Sequence, residues 1–112
     1  MAEINFSPEA SEDLKRIRSY IVEELANESA AKNVLAGIFK RIRILESFPE
    51  AGAPLSDIVG FDTEFRFLPC GSYTVFYRYE LGTVFVIRIL YGKRDIMKAL
   101  FGSNGENLTA GY

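Results

Sequence analysis

The chain contains no histidine. That absence excludes Ser–His and Cys–His catalysis, histidine-based metal sites and histidine proton shuttling. There is a single cysteine, Cys70, so no internal disulfide can form, and a reducing, cytoplasmic setting fits. With no imidazole to activate it, Cys70 is not read as a catalytic thiol. No cysteine or carboxylate cluster has metal-ligand spacing, and no glycine-rich phosphate loop follows a strand, so neither metal nor cofactor is expected. No segment approaches the length of a membrane span. The opening Met-Ala-Glu-Ile-Asn-Phe lacks the basic-then-apolar pattern of a signal peptide, so no membrane partner is expected.

What is present is a strongly amphipathic chain. Its 112 residues are 48% hydrophobic and 25% charged, enough for one domain around one core. Three runs near the C-terminal end are rich in β-branched and aromatic residues and bounded by glycine and proline. They are Glu64–Leu68, Tyr73–Glu80 and Thr83–Tyr91, joined by turns at 69–72 and 81–82. If Leu68 faces Tyr73 and Glu80 faces Thr83, alternation sorts the side chains into two sets. One face carries Phe65, Phe67, Phe76, Phe85, Ile87 and Ile89, an apolar slab that needs a cover. The other carries Arg66, Tyr73, Val75, Tyr77, Tyr79, Val84, Val86, Arg88 and Leu90, with Arg66, Val75 and Arg88 in one cross-strand row. Arginine and tyrosine are enriched where a surface binds phosphate or a protein. Arg66, Tyr73, Tyr77, Tyr79 and Arg88 are therefore candidate binding residues. Alternatively, the tyrosines only cover the sheet and the arginines are solvated or paired with Glu64 or Glu80.

Upstream, a short strand at Glu3–Phe6 precedes Ser7-Pro8-Glu9, a good helix start: serine caps, proline suits the first turn and glutamate favours the positive dipole end. Ala10, Leu14, Ile17, Ile21 and Leu25 recur at helical spacing. Ser29 is placed to cap a second helix, with Ala31, Val34, Leu35, Ile38, Ile42 and Leu45 on its apolar face and Pro49 as its stop. This helical hairpin is the expected cover for the phenylalanine slab, with Leu14, Ile17, Ile21, Ile38 and Ile42 lying on it. Residues 49–62 read as a loop, 1–101 as one domain and 102–112 as a flexible tail. The expected fold is α+β: an N-terminal strand, an α-hairpin on one face of a mainly antiparallel sheet, and a short C-terminal helix. Charge is uneven. Residues 1–62 carry 7 Lys/Arg against 11 Asp/Glu, whereas 63–101 carry 6 against 3. The basic excess can steer an acidic partner, and Lys93 and Arg94 stand where it leaves the last strand.

Several motifs occur in order: Asn5-Phe-Ser-Pro-Glu-Ala10, Phe48-Pro-Glu-Ala-Gly52, Phe65-Arg-Phe-Leu68, Tyr73-Thr-Val-Phe-Tyr-Arg78 and Ile87-Arg-Ile-Leu-Tyr-Gly-Lys-Arg-Asp95. Together they make the chain resemble the RelE/ParE superfamily of type II toxin–antitoxin toxins, which includes plasmid stabilization proteins. The resemblance implies a toxin neutralised by a cognate antitoxin, acidic and partly disordered. It also implies one of two targets. ParE-like members block DNA gyrase; RelE-like members are metal-independent nucleases that cut messenger RNA on the ribosome. A nuclease would draw on Arg66, Arg88, Arg94 and Tyr77. Thr74 stands where RelE-type sequences carry arginine, and Leu100 about where they carry a C-terminal tyrosine. These departures favour the gyrase-inhibiting branch. An inactive relative serving as a binding module or co-repressor is the third alternative. On either binding reading, Arg66, Tyr73, Tyr77, Tyr79, Arg88, Lys93 and Arg94 are the expected contact residues.

Overall fold

The computed structural model describes residues 1–92 and 95–102; the expected flexible tail, Gly102 apart, and the positions of Lys93 and Arg94 lie outside them. The elements follow the order β1 (Glu3–Phe6), α1 (Pro8–Glu24), α2 (Glu28–Ser47), β2 (Ala53–Pro54), α3 (Ser56–Val59), β3 (Arg66–Cys70), β4 (Tyr73–Glu80), β5 (Thr83–Tyr91) and α4 (Ile96–Phe101). The strands form one sheet in the order β1-β5-β4-β3-β2. Only β1 runs parallel to its neighbour; the other pairs are antiparallel. The α+β class, the helical hairpin and the closing helix are as the sequence leads one to expect.

Local chemistry explains most boundaries. Ser7 caps α1 by accepting from the Ala10 amide at 2.9 Å, with Pro8 in the first turn. The second cap is Asn27, not Ser29: its side chain accepts from the Ala30 amide at 2.9 Å. Ala26, at φ +50°, supplies the left-handed residue that ends α1 and turns the chain. The stretch expected to be a plain loop adds an edge strand, β2, and a helical turn, α3.

Three features of the sheet depart from the expected one. First, the β3–β4 turn is tighter, around Gly71 and Ser72, so Cys70 faces Tyr73, Leu68 faces Val75 and Arg66 faces Tyr77. Gly71, at φ +62°, takes the first central position, where a tight hairpin requires it. Pro69 is accommodated in β3 because its carbonyl points out of the sheet, to Arg41 Nε at 3.1 Å, leaving its missing N–H on the open edge. Second, a β-bulge interrupts the β4–β5 pairing. Tyr77 faces Val86 but Phe76 faces Arg88, leaving Ile87 as the extra residue. Beyond it the faces exchange, so Ile89 joins Val75, and Arg88 is not in a row with Arg66.

Third, the helical hairpin covers the tyrosine face, not the phenylalanine face. Ala10, Ile17, Ile21, Ala31, Ile38, Ile42 and Leu45 pack with Leu68, Val75, Tyr77, Val84, Val86 and Ile89. A mostly β-branched strand surface lets helix ridges approach closely, and a tyrosine can be buried wherever its hydroxyl finds a partner. The phenylalanine face has its own cover: Phe76 is fully buried with Leu55 and Ile96, flanked by Phe65, Phe67, Leu90, Leu100 and Phe101. Phe85 and Ile87 are only half-buried. The sheet thus lies between the long helices and a thin layer made of α3 and α4.

Candidate functional site

Tyr77 is the hub of the buried polar structure. Its side chain is fully buried, and its hydroxyl donates to the Pro49 carbonyl at 2.8 Å while accepting from the Gly52 amide at 2.9 Å. Gly52 lies so close that a Cβ there would meet Phe67 O and the Tyr77 ring and hydroxyl at 2.7 Å. Arg66, opposite Tyr77 on β3, donates to the Gly52 carbonyl at 2.7 Å and lies 3.6 Å from the Glu50 carboxylate. Burial raises the Tyr77 pKa, so the phenol stays neutral. Tyr77 and Arg66 together fasten the Phe48–Gly52 corner to the sheet.

Arg88 lies at the β5 edge beyond the end of β1. There Asp13 of α1, 3% exposed, accepts from Arg88 Nε at 2.7 Å, from Arg88 Nη2 at 2.8 Å and from the Ile89 amide at 2.9 Å. One carboxylate therefore terminates the open edge of β5 and holds the guanidinium in a fork. The bond to Asp13 raises the Arg88 pKa and keeps the group charged. Asp13 is absent from the sequence-derived candidates. Its signal is an acidic residue in the helical stripe Ala10, Asp13, Ile17, Ile21, where an apolar one belongs.

Beside this pair a cleft of about 470 Å³ opens between α1 and the end of β5. Asp13 and Arg16 form its polar side; Ile17, Tyr20, Tyr73 and Tyr91 supply aromatic and apolar walls. Tyr20 and Tyr91 are half-exposed, and Tyr73 meets Tyr91 edge to face with centroids 5.6 Å apart. Desolvation raises the Tyr73 pKa, so it too is a neutral phenol. Tyr79 stands apart, 40% exposed near the β4–β5 turn.

The structure thus distributes the five described candidates over three places. Arg66 and Tyr77 hold the Gly52 corner, Arg88 and Tyr73 flank opposite sides of the α1–β5 region, and Tyr79 lies at the far end of the hairpin. Among the described residues no group of three or more Cys, Asp or Glu is placed to hold a metal. No described helix is long and apolar enough to cross a membrane.

Residues 4–96 match the family described as the ParE toxin of the type II toxin–antitoxin system, parDE. No curated protein matches the chain significantly. Among solved structures, one titled the chromosomal ParDE TA system from P. aeruginosa superposes with a TM-score of 0.69 at 19% identity, covering 82% of this chain and 97% of that one. At that identity the likeness speaks for the fold, and the family match carries the assignment. Spanning most of the chain, it shows that this protein belongs to the ParE toxin family of type II toxin–antitoxin systems.

Proposed function

We propose that the protein is a toxin that acts by binding, with DNA gyrase as its target, and that a cognate antitoxin neutralises it. The carrying observation is that the described groups a metal-free nuclease would use are committed to the fold. Cutting RNA without metal needs a base for the 2′-hydroxyl and cations around the phosphate. Tyr77 is buried with its hydroxyl engaged to Pro49 and Gly52, and Arg88 is forked on Asp13. Arg66 is bound to the Gly52 carbonyl. Thr74 is 4% exposed, and Leu100 packs into the cluster around Phe76. An inhibitor by contact needs only a complementary surface.

The α1–β5 cleft is the surface best suited to the antitoxin. A partner segment inserting an apolar side chain between Tyr20 and Tyr91 meets Arg16, whose exposed guanidinium already bonds Asp13 at 3.1 Å on one side and has its outer N–H groups for an accompanying carboxylate. Induction in bacteria tests the reading. DNA breaks and the SOS response are expected while messenger RNA stays intact, and purified protein is expected to inhibit gyrase supercoiling. Codon-specific cleavage of messages on ribosomes would replace this reading with the nuclease. No growth defect would leave a binding module.

A further inference from the structure

Tyr73 belongs to two hollows at once. On one side it walls the α1–β5 cleft; on the other it closes a second hollow, of about 290 Å³, between α2 and the β3–β4 turn. From α2 come Val34, Gly37, Ile38 and Arg41, and from the turn Cys70 and Ser72. Residues three and four apart share a helix face, so the α2 set presents one stripe to the turn.

Arg41 is the only charged residue in that lining among the described residues. Its Nε donates to the Pro69 carbonyl at 3.1 Å, a neutral acceptor, and no carboxylate pairs with it among the described residues. Its neighbours one helical turn away, Gly37, Ile38, Ile44 and Leu45, are not acidic, nor is any residue from Pro69 to Tyr73. The positive charge is therefore uncompensated. Its field reaches the floor of the hollow: burial pushes the Cys70 thiol up, and Arg41 pulls it partly back. In the α1–β5 cleft Arg16 bonds Asp13 at 3.1 Å and is otherwise exposed. One arginine thus stands in each hollow, and Tyr73 is common to both.

We propose that the antitoxin segment received by the α1–β5 cleft continues past Tyr73 into the second hollow and sets an aspartate or glutamate side chain against Arg41. The proposal rests on the reading of this chain as a toxin that an antitoxin neutralises in that cleft. Two features choose the occupant. The hollows adjoin at Tyr73, so an extended segment leaving one enters the next. A single cation among apolar walls suits one carboxylate on a mostly apolar peptide. A nucleic-acid strand or an anionic membrane presents a row of charges and needs a row of cations, and this lining has one. Gly37 keeps the hollow open. It sits inside α2, where glycine weakens a helix, and a Cβ there would meet nothing within 4 Å.

The test measures the affinity of the toxin for the protein encoded by the adjacent reading frame, by calorimetry at two salt concentrations. Arg41→Gln removes the cation and gives up one exposed bond to Pro69. Gly37→Glu fills the hollow, turns a carboxylate onto Arg41 and suits a helix better than glycine. Both variants are expected to keep the wild-type melting temperature. Each is expected to weaken the complex about tenfold, Arg41→Gln with a flatter salt dependence, while Gly37→Ala binds as the wild type does. Wild-type affinity in both Arg41→Gln and Gly37→Glu overturns the inference. A loss in Arg16→Gln beside that result leaves the cleft reading intact; wild-type affinity there too takes the cleft with it. A loss in Gly37→Glu alone would mean an occupant without the carboxylate. Weaker binding of duplex DNA by Arg41→Gln, with antitoxin affinity unchanged, would assign the site to phosphate; either result overturns the proposal. A wild type that does not bind the protein at all removes the antitoxin reading itself, and the inference with it.

Discussion

At Gly52 the space for a side chain is already occupied by the Tyr77 phenol and the Phe67 carbonyl. Gly52→Ala must push both aside, a kind of overpacking that costs about 1–3 kcal/mol. Tyr77→Phe keeps the ring but leaves the buried Gly52 amide without its acceptor, also costing about 1–3 kcal/mol. Urea midpoints of the two variants check both figures. Cys70 carries a different consequence. Burial pushes its thiol from an ordinary 9.0 up to about 11, with Arg41 pulling partly the other way. Between those values the unfolded chain has released a proton that the folded chain keeps, so stability falls as pH rises through the window. Tyr77 and Tyr73, whose pKa values burial also raises above 10.0, add to the loss at the upper end. Melting temperatures measured from pH 9.0 to about 11 should decline in the wild type, and less steeply in Cys70→Ala.

Among the elements, β5 carries the most consequence. Its bulge leaves Ile87 unpaired in the ladder, and Ser7 takes up the slack: its amide donates to the Val86 carbonyl at 2.9 Å and its hydroxyl to the Ile87 carbonyl at 2.7 Å. Past the bulge, Asp13 serves the Ile89 amide and the Arg88 fork. Asp13→Ala strips both partners at once and is expected to cost about 3–5 kcal/mol, a large share of a small domain's stability. Thermal denaturation of the purified variant checks it. A retained wild-type melting temperature would mean that the pair is dispensable. The strands, the helices and the alternation along β4 were legible because each is written locally, in period and in turn residues. The bulge was not, because Thr83–Tyr91 alternates evenly and the residue that stabilises the slip, Ser7, lies 80 positions away. The choice of face failed for a related reason. Counting phenylalanines against tyrosines ignores that Tyr77 can be buried once the Gly52 corner satisfies its hydroxyl. Arg66 and Tyr77 stood out in the sequence only as separate binding candidates; their pairing across β3 and β4 and their anchoring of that corner depend on the hairpin register and on Gly52, which alternation alone does not give.

For the molecule as a whole, a sheet covered on both sides distributes protection unevenly. Val75, Phe76, Tyr77, Val84 and Val86 are fully buried in the two central strands, whereas β2 is two residues long and α3 a single turn. Amide exchange in the centres of β4 and β5 is expected to track global unfolding, and exchange in β2 and α3 to be faster by orders of magnitude. Equal protection in both regions would contradict the layered reading. The net basic excess of residues 63–101 is similarly redistributed. Arg66, Arg78 and Arg88 are engaged with Glu50, Glu64, Glu80 and Asp13, so the charge of these three arginines is met locally.

The pairing of β1 with β5 sets an order of events during synthesis. Glu3–Phe6 finds its partners at Thr83–Val86, and Asp13 finds Arg88 75 positions on. Such non-local closure slows folding, and here it delays folding until almost the whole domain has left the ribosome. Until β5 emerges, the apolar stripes of α1 and α2 have no sheet to cover, and the edge that Asp13 will seal does not exist. A growing chain therefore passes through a long interval in which the helical hairpin is made but the toxin is not.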